Sequence, residues 1–341
     1  MKDLFKIIKG NPKALTGVSI IILFIFVAVF APFLSKHDPQ KRSGNPHEYP
    51  AFVVKAAQAS PDGWVAENLA DNARRLRMSK DAEHVLGTTR LGRDIWSQVA
   101  HGARTSLLVG FTAGIFVCVV ATIIGISAGY FGGRVDNILS GAMNVMLVMP
   151  QLPIVMVVAA FVGQAGPLTI AVVIALTSWA WGARVIRSQT LAIREKEFIK
   201  AAEVLGESKF RILFVEILPN LIPLVGASFI GSVMYAILTE SVLSFIGMGS
   251  PSSVSWGSML YNVRTSSAMQ LGIWWEVLAP CIALSLLSFA LALFNFAVDE
   301  IANPQLRAQK GLKRWKKMQA EESKSRTQTE LTPQAALSGE K

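Results

Sequence analysis

The chain is short of charge. Only 16% of its 341 residues are Asp, Glu, Lys or Arg, against about 25% in an ordinary soluble domain. That shortage excludes a water-soluble globular protein of this length. Cysteine and histidine are scarce as well, at two and four residues. Cys118 and Cys281 fall inside apolar runs and read as small buried residues, so neither a disulfide framework nor a metal site is expected. His84 and His101 read as outer-loop hydrogen bonders rather than metal ligands. No GxxxxGK[ST] stretch occurs, which excludes a phosphate-cradling loop of the chain's own. No soluble basic domain accompanies the net charge of +10, so nucleic acid is not an expected partner. A repeat of fixed period is absent, and so is the strand-length alternation of a membrane β-barrel.

Apolar residues are abundant, at 52%, and they cluster. Six runs stand out, at 15–34, 105–130, 138–162, 168–184, 221–246 and 277–298. Each is close to the ~20 residues a helix needs to cross a bilayer. Backbone in lipid must bond to itself, so the expected fold is all-α integral membrane with six transmembrane helices. The first run follows Lys2, Lys6, Lys9 and Lys13, as a signal peptide would. It is longer than a typical signal core and lacks a small-x-small cleavage pattern before Lys36, so it reads as a retained anchor. Glycines four apart, Gly110 with Gly114 and Gly125 with Gly129, predict closely packed helices. Pro150 and Pro153 predict a bend in the third run.

Basic residues set the orientation. With the N-terminus inside, segments 1–14, 131–136, 184–220 and 301–341 hold 21 of the 33 Lys and Arg. The short outer loops hold only Arg264, as the positive-inside rule requires. Residues 1–14 are then a cytoplasmic N-terminus and 15–34 the first span. Residues 35–104 form a long extracytoplasmic segment that is loop-like at first, with a helix expected over 65–80. Residues 105–300 are a five-span core, and 301–341 a cytoplasmic, basic and partly disordered tail. Arg184 and Arg187 read as snorkelling residues at the inner end of the fourth span.

Within the core, residues 197–219 form a polar island. Phe198, Ala201, Ala202 and Leu205 recur at i, i+3, i+4 and i+7, one face of a helix. Lys200 and Glu203 lie largely off that stripe. Gly206 fits a helix C-cap, and Ser208 fits the N-cap of a second helix through Glu216. Ile217, Leu218 and Pro219 close the island, where the proline interrupts backbone bonding at the entry to the fifth span. A helix of this kind reads either as a docking surface or as a partnerless surface connector.

The order KAAEVLG…ILP resembles the EAA loop of ABC-importer permeases, with Lys200 where the family usually has Glu and with Ile217-Leu218-Pro219 closing it directly. Other stretches resemble the dipeptide/oligopeptide permease branch, specifically its C-type subunit: His84-Val85-Leu86-Gly87-Thr88, Leu91-Gly92-Arg93-Asp94, the run from Gly102 to Leu107, the run from Leu243 to Gly249, and Ser255-Trp256-Gly257. The resemblance implies a type I importer permease fold with a long periplasmic segment after the first helix. It implies a multi-pass subunit in a bacterial inner membrane, with both termini cytoplasmic and half of a translocation pathway. It also implies a second homologous permease subunit (a heterodimer), two ATPase subunits and an external substrate-binding protein as partners. Loop 188–220 would couple to an ATPase, which would use ATP and magnesium; the chain itself binds no cofactor and is not an enzyme.

Peptides and oligosaccharides are both expected substrates, with a nickel chelate or other small solute as a further alternative. The FAVDEIANPQLR ending, the WGSMLYNVR run and the paired Trp274 and Trp275 resemble the oligosaccharide-associated branch. A secondary transporter and a membrane anchor are the competing functions. Glu240 inside the fifth run carries an insertion penalty of about 2.5–3.5 kcal/mol unless paired, which favours a pathway or packing-network role. Trp256, Tyr261, Trp274 and Trp275 read as an interfacial aromatic belt or as a surface for the binding protein or for sugar rings, and Trp256 is also, with Glu240, a candidate pathway or packing residue.

Overall fold

The computed structural model describes residues 12–61, 63, 65–68, 70, 83–162, 166–250, 253–302 and 319, with side chains described for these residues through 298, except at 162, and again at 319. The expectations for residues 1–11 and for nearly all of the tail lie outside these. Of the helix expected over 65–80, residues 65–68 are helical and most of the rest is outside the described set.

The described chain is almost entirely helical. Helix α1 covers Pro12–Val29, and a short α2 covers Ala31–Leu34. After a polar stretch come α3 (Ala51–Ala59) and α4 (Ile95–Phe131). Next are α5 (Gly133–Val148) and α6 (Gln151–Val162), then α7 (Pro167–Arg194). The polar island holds α8 (Glu197–Val204) and α9 (Lys209–Arg211). A π-helical stretch, Ile212–Ile217, runs directly into α10 (Leu218–Phe245). Helices α11 (Trp256–Thr265) and α12 (Trp274–Ala302) complete the order. The isolated bridge between Thr88 and Asp94 is the sole β pairing among the described residues.

Five helical stretches are long and apolar enough to cross a membrane, and a sixth is gained if the bent pair α5–α6 counts as one. The third apolar run is therefore not one helix. It breaks at Met149, whose extended backbone (φ −70, ψ 134) is what a following proline imposes. The two halves meet at 90°.

Helix α4 begins at Ile95, upstream of its apolar run, because Asp94 caps it: the Asp94 carboxylate accepts from the Ser97 amide at 2.9 Å. It forms the spine of the bundle. Along one side it packs on α7, and along another on α10. Both seams run over the glycine pairs. A Cβ on Gly114 would lie 2.5 Å from the Val233 side chain of α10, and one on Gly129 would lie 2.6 Å from Cβ of Thr190 on α7. These helices approach at a distance only glycine permits. Helix α1 packs on α12, and α12 on α10.

The bundle thus has two ends. One, here the head, carries the 35–50 and 83–94 segments, α3 and α11. The other, the foot, carries α8 and the start of α5. Large apolar side chains remain exposed along the flanks, among them Ile22, Phe26, Ile123, Leu176, Ile222 and Phe289, as a lipid-facing surface requires.

Candidate coupling surface

Helix α8 sits at the foot. It stops at Gly206, whose backbone is left-handed (φ +76). The Gly206 amide donates to the Glu203 carbonyl and the Glu207 amide to the Ala202 carbonyl, both at 3.1 Å. This crossed pair of bonds is a Schellman cap, so the glycine is required by conformation. Space is not the reason, since a Cβ there would meet nothing within 4 Å. Ser208 then caps the next helix by accepting from the Arg211 amide at 3.3 Å.

What holds α8 to the bundle is a residue outside the expected stripe. Ile199 is fully buried, in one cluster with Ile126, Tyr130, Ile186, Ile212 and Ile217. Ala202 packs partly against the same cluster. With 199 and 202 turned inward, the outward apolar surface consists of Phe198, Ala201, Val204 and Leu205. Val204 and Leu205 are 88% and 81% exposed. The stripe expected from the sequence is thus split between anchor and free face. The missed signal was a second i, i+3 pair, 199 and 202, alongside the first.

Lys200 lies on the free side and pairs with Glu195 at 3.0 Å, both side chains exposed. The Lys200 ammonium holds the Glu195 carboxyl below its ordinary range. Ile217 is fully buried and Leu218 half-buried in the cluster beneath α8, while Pro219 is exposed. Ile217 and Leu218 therefore anchor the loop. Pro219 does not stop the helix. The chain from Lys209 to Phe245 is continuously helical, because the wide π turn before the proline absorbs the mismatch; there the Leu218 amide reaches back five residues to the Leu213 carbonyl.

Residues 121–307 match the family described as binding-protein-dependent transport system inner membrane component. The chain belongs to that family. Its residues 1–50 also match the N-terminal TM domain of oligopeptide transport permease C. Among curated relatives, it is 30% identical over 307 residues to the dipeptide transport system permease protein DppC of Bacillus subtilis, covering 90% of this chain and 86% of the relative. It is 31% identical over 259 residues to the oligopeptide transport system permease protein OppC of the same organism, covering 76% and 75%. It is 27% identical over 309 residues to the di/tripeptide transport system permease protein DppC of Pseudomonas aeruginosa, covering 90% and 93%. The chain is therefore an ABC-importer permease of the dipeptide/oligopeptide family, C-type.

In this permease the foot is braced beside α8. Arg187 of α7 donates to both carboxylate oxygens of Asp136 in the first turn of α5, at 2.5 and 2.6 Å, and Ser140 donates to the same carboxylate at 2.8 Å. Arg184 donates to the Asn144 side chain. The two arginines thus tie α7 to α5 rather than simply reaching for the interface.

Glu240 lies toward the head and is 2% exposed. Ser244, one turn further along α10, donates to its Oε1 at 2.7 Å, while its Oε2 has no hydrogen-bond partner among the described residues. Trp256 is likewise internal. It is fully buried, donates from Nε1 to the Val99 carbonyl at 3.0 Å and packs edge-on against Phe24. Gly102 faces its indole and leaves room for it. Trp275 is buried against Tyr49. The aromatic-belt reading therefore fails for these two residues: helices α4 and α1 cover Trp256, and the 48–50 segment covers Trp275. Trp274 alone of the pair is exposed, near Phe52. Two neighbouring polar cavities of about 330 and 260 Å³ open at the head and share Arg93, Gln98 and Asn262 in their walls.

Proposed function

We propose that this permease forms half of the translocation pathway of an ATP-driven importer of short peptides, and that α8 is the surface on which a partner ATPase docks. The observation that carries the reading is the outward ridge of Phe198, Val204 and Leu205 on a helix whose other side is pinned by Ile199 and Ala202. An exposed apolar ridge on a helix of eight residues costs solubility unless a partner covers it. Pinning is what a transmission element needs, since a loose helix would absorb displacement instead of passing it on. From α8 a push reaches the continuous helix 209–245 through the buried Ile199–Ile212–Ile217 contacts, and α4 through Ile126 and Tyr130 of the same cluster.

The remaining partners follow from the family: a second permease subunit beside this one, two ATPase subunits, and an external binding protein. The distribution of Lys and Arg supports a cytoplasmic foot and an external head, in a bacterial inner membrane with both termini inside. Peptides are favoured as cargo because the relatives of comparable length are peptide and oligopeptide permeases. The argument for sugars leaned on aromatic faces, and two of those faces are buried.

Co-purification from membranes tests the docking. The single substitutions Phe198→Asp and Leu205→Asp should each abolish recovery of the ATPase while leaving the permease folded and the partner permease bound. Retention of the ATPase by both variants would overturn the reading. For cargo, uptake of labelled di- and tripeptides by the reconstituted importer should be saturable and ATP-dependent; uptake of oligosaccharide alone would overturn the peptide assignment.

A further inference from the structure

At the head, three ionisable side chains from separate stretches meet in a buried cluster that the coupling mechanism does not use. His84 is 2% exposed, Glu48 3% and Asp94 4%. The imidazole lies between the two carboxylates: Nδ1 is 3.2 Å from Asp94 Oδ1, and Nε2 is 3.4 Å from Glu48 Oε2. Each carboxylate is fixed by a second bond. Asp94 Oδ2 accepts from the Ser97 amide at the start of α4, and Glu48 Oε1 accepts from the Asn45 amide. A Cβ on Gly44 would fall 2.5 Å from His84 Nε2, so the 43–45 turn closes the cluster from above.

The backbone around the cluster joins the same stretches. Ser43 and Gly44 amides donate to the Gly92 carbonyl at 2.8 and 3.0 Å, the Ala51 amide to the His84 carbonyl at 3.0 Å, and the Thr88 amide to the Glu48 carbonyl at 3.1 Å. The segment secured this way contributes Gln40 to the wall of the larger head cavity. Gln40 and Arg93 line that cavity, and Gln98, also in its wall, donates to the Pro39 carbonyl at 3.0 Å.

We propose that Glu48, His84 and Asp94 are positioning residues that form a proton-dependent clasp, fastening the 37–50 segment to the head of α4 and so setting the wall of the outer cavity. The reason is stoichiometric. A neutral imidazole has one N–H and one lone pair, whereas an imidazolium donates from both nitrogens. Glu48 Oε2 and His84 Nε2 have no other hydrogen-bond partner among the described residues, and two carboxylates facing the two nitrogens can both be served only by the imidazolium. Once the proton is lost, one buried carboxylate faces a lone pair, and burial without a partner is costly. The clasp is therefore closed on the acid side and loosens as pH rises.

The titratable groups facing His84 are Glu48 and Asp94, with the His37 ring 5.1 Å away. His47 belongs to the same segment but is half-buried, and burial and Arg90 push its affinity for protons down. The clasp itself stands without the peptide reading; only its effect on transport rests on that reading.

The test is hydrogen–deuterium exchange on the complete transporter in nanodiscs between pH 5.5 and 8.5, corrected for intrinsic exchange. Protection of the amides of Ser43, Gly44, Ala51 and Thr88 should fall roughly tenfold or more across that range in the wild type. Glu48→Gln should flatten the profile, because a carboxamide can donate to a neutral ring nitrogen, and His84→Gln should remove it. His47→Gln should keep the wild-type profile. A flat wild-type profile, or an unchanged slope in Glu48→Gln, would overturn the clasp. If His84→Gln fails to assemble, the Glu48→Gln comparison still decides. None of these readings requires the ATPase to bind α8 or peptide to be the cargo.

Discussion

Gly206 offers the sharpest test of how α8 works, because its two possible roles predict opposite rankings. Its φ of +76 lies in the left-handed region, which costs a side-chain-bearing residue about 1–2 kcal/mol. Nothing within 4 Å would touch an added Cβ, so in the free permease that cost is purely conformational. The Schellman bonds from Gly206 and Glu207 oppose it, each worth about 0.5–1.5 kcal/mol net. The balance is close, and Gly206→Ala should leave the cap frayed for much of the time. If docking requires the capped form, affinity for the ATPase should drop about 5- to 30-fold, the equivalent of 1–2 kcal/mol. Asn tolerates the left-handed region better than Ala, so Gly206→Asn should lose less despite its larger side chain. Gly206→Val should lose most. The assay is titration of the nanodisc-held permease with its ATPase, with thermal unfolding as a control that the bundle is intact. The expected order is Gly, Asn, Ala, Val. An order that follows size, with Asn weaker than Ala, would refute the conformational argument and indicate a groove that excludes any side chain.

Three further outcomes are expected. Gly129→Leu places atoms where Thr190 already lies and should lower stability by about 1–3 kcal/mol, seen as a lower midpoint in detergent melts. Arg187→Ala leaves the Asp136 carboxylate short of its paired donors and should cost about 1–3 kcal/mol; a double-mutant cycle with Asp136→Ala should show coupling between the two. Lys200→Gln should leave docking unchanged within about twofold, since the pair with Glu195 is exposed. In that variant the Glu195 carboxyl should titrate higher. Its affinity for protons is depressed in the folded protein, so the pair's small contribution is present above the ordinary carboxylate range and is lost as pH falls through it. Carboxyl titration by NMR would check the direction.

The spans were readable because lipid imposes one solution on any apolar run of sufficient length. The glycine pairs were readable for a related reason: spacing by four puts both residues of a pair on one helix face, and the faces at 110/114 and 125/129 are indeed where α10 and α7 sit. Three features escaped. Pro150 and Pro153 marked a bend in the third run, but its right angle depends on the neighbouring helices, which the run itself does not describe. The burial of Trp256 depends on Phe24 and Gly102, residues distant in sequence. The clasp at His84 needs Glu48, and nothing local to His84 points there. In α8 the periodicity was correct, but it carried two stripes, and only the three-dimensional position of Ile212 and Ile217 decides which one faces inward.

The π turn at Ile212–Ile217 has a bearing on how this permease can tolerate changes in length. Elsewhere in a long helix, removing one residue rotates everything beyond it by about 100° and would swing the foot out of phase with the span. A π turn already stores one surplus residue. Losing Val215, which points outward, would let the turn relax to ordinary α geometry with both flanks nearly in phase. The junction between coupling surface and span is thus a register buffer, the place in this helix where a one-residue deletion should leave α8 aimed as before.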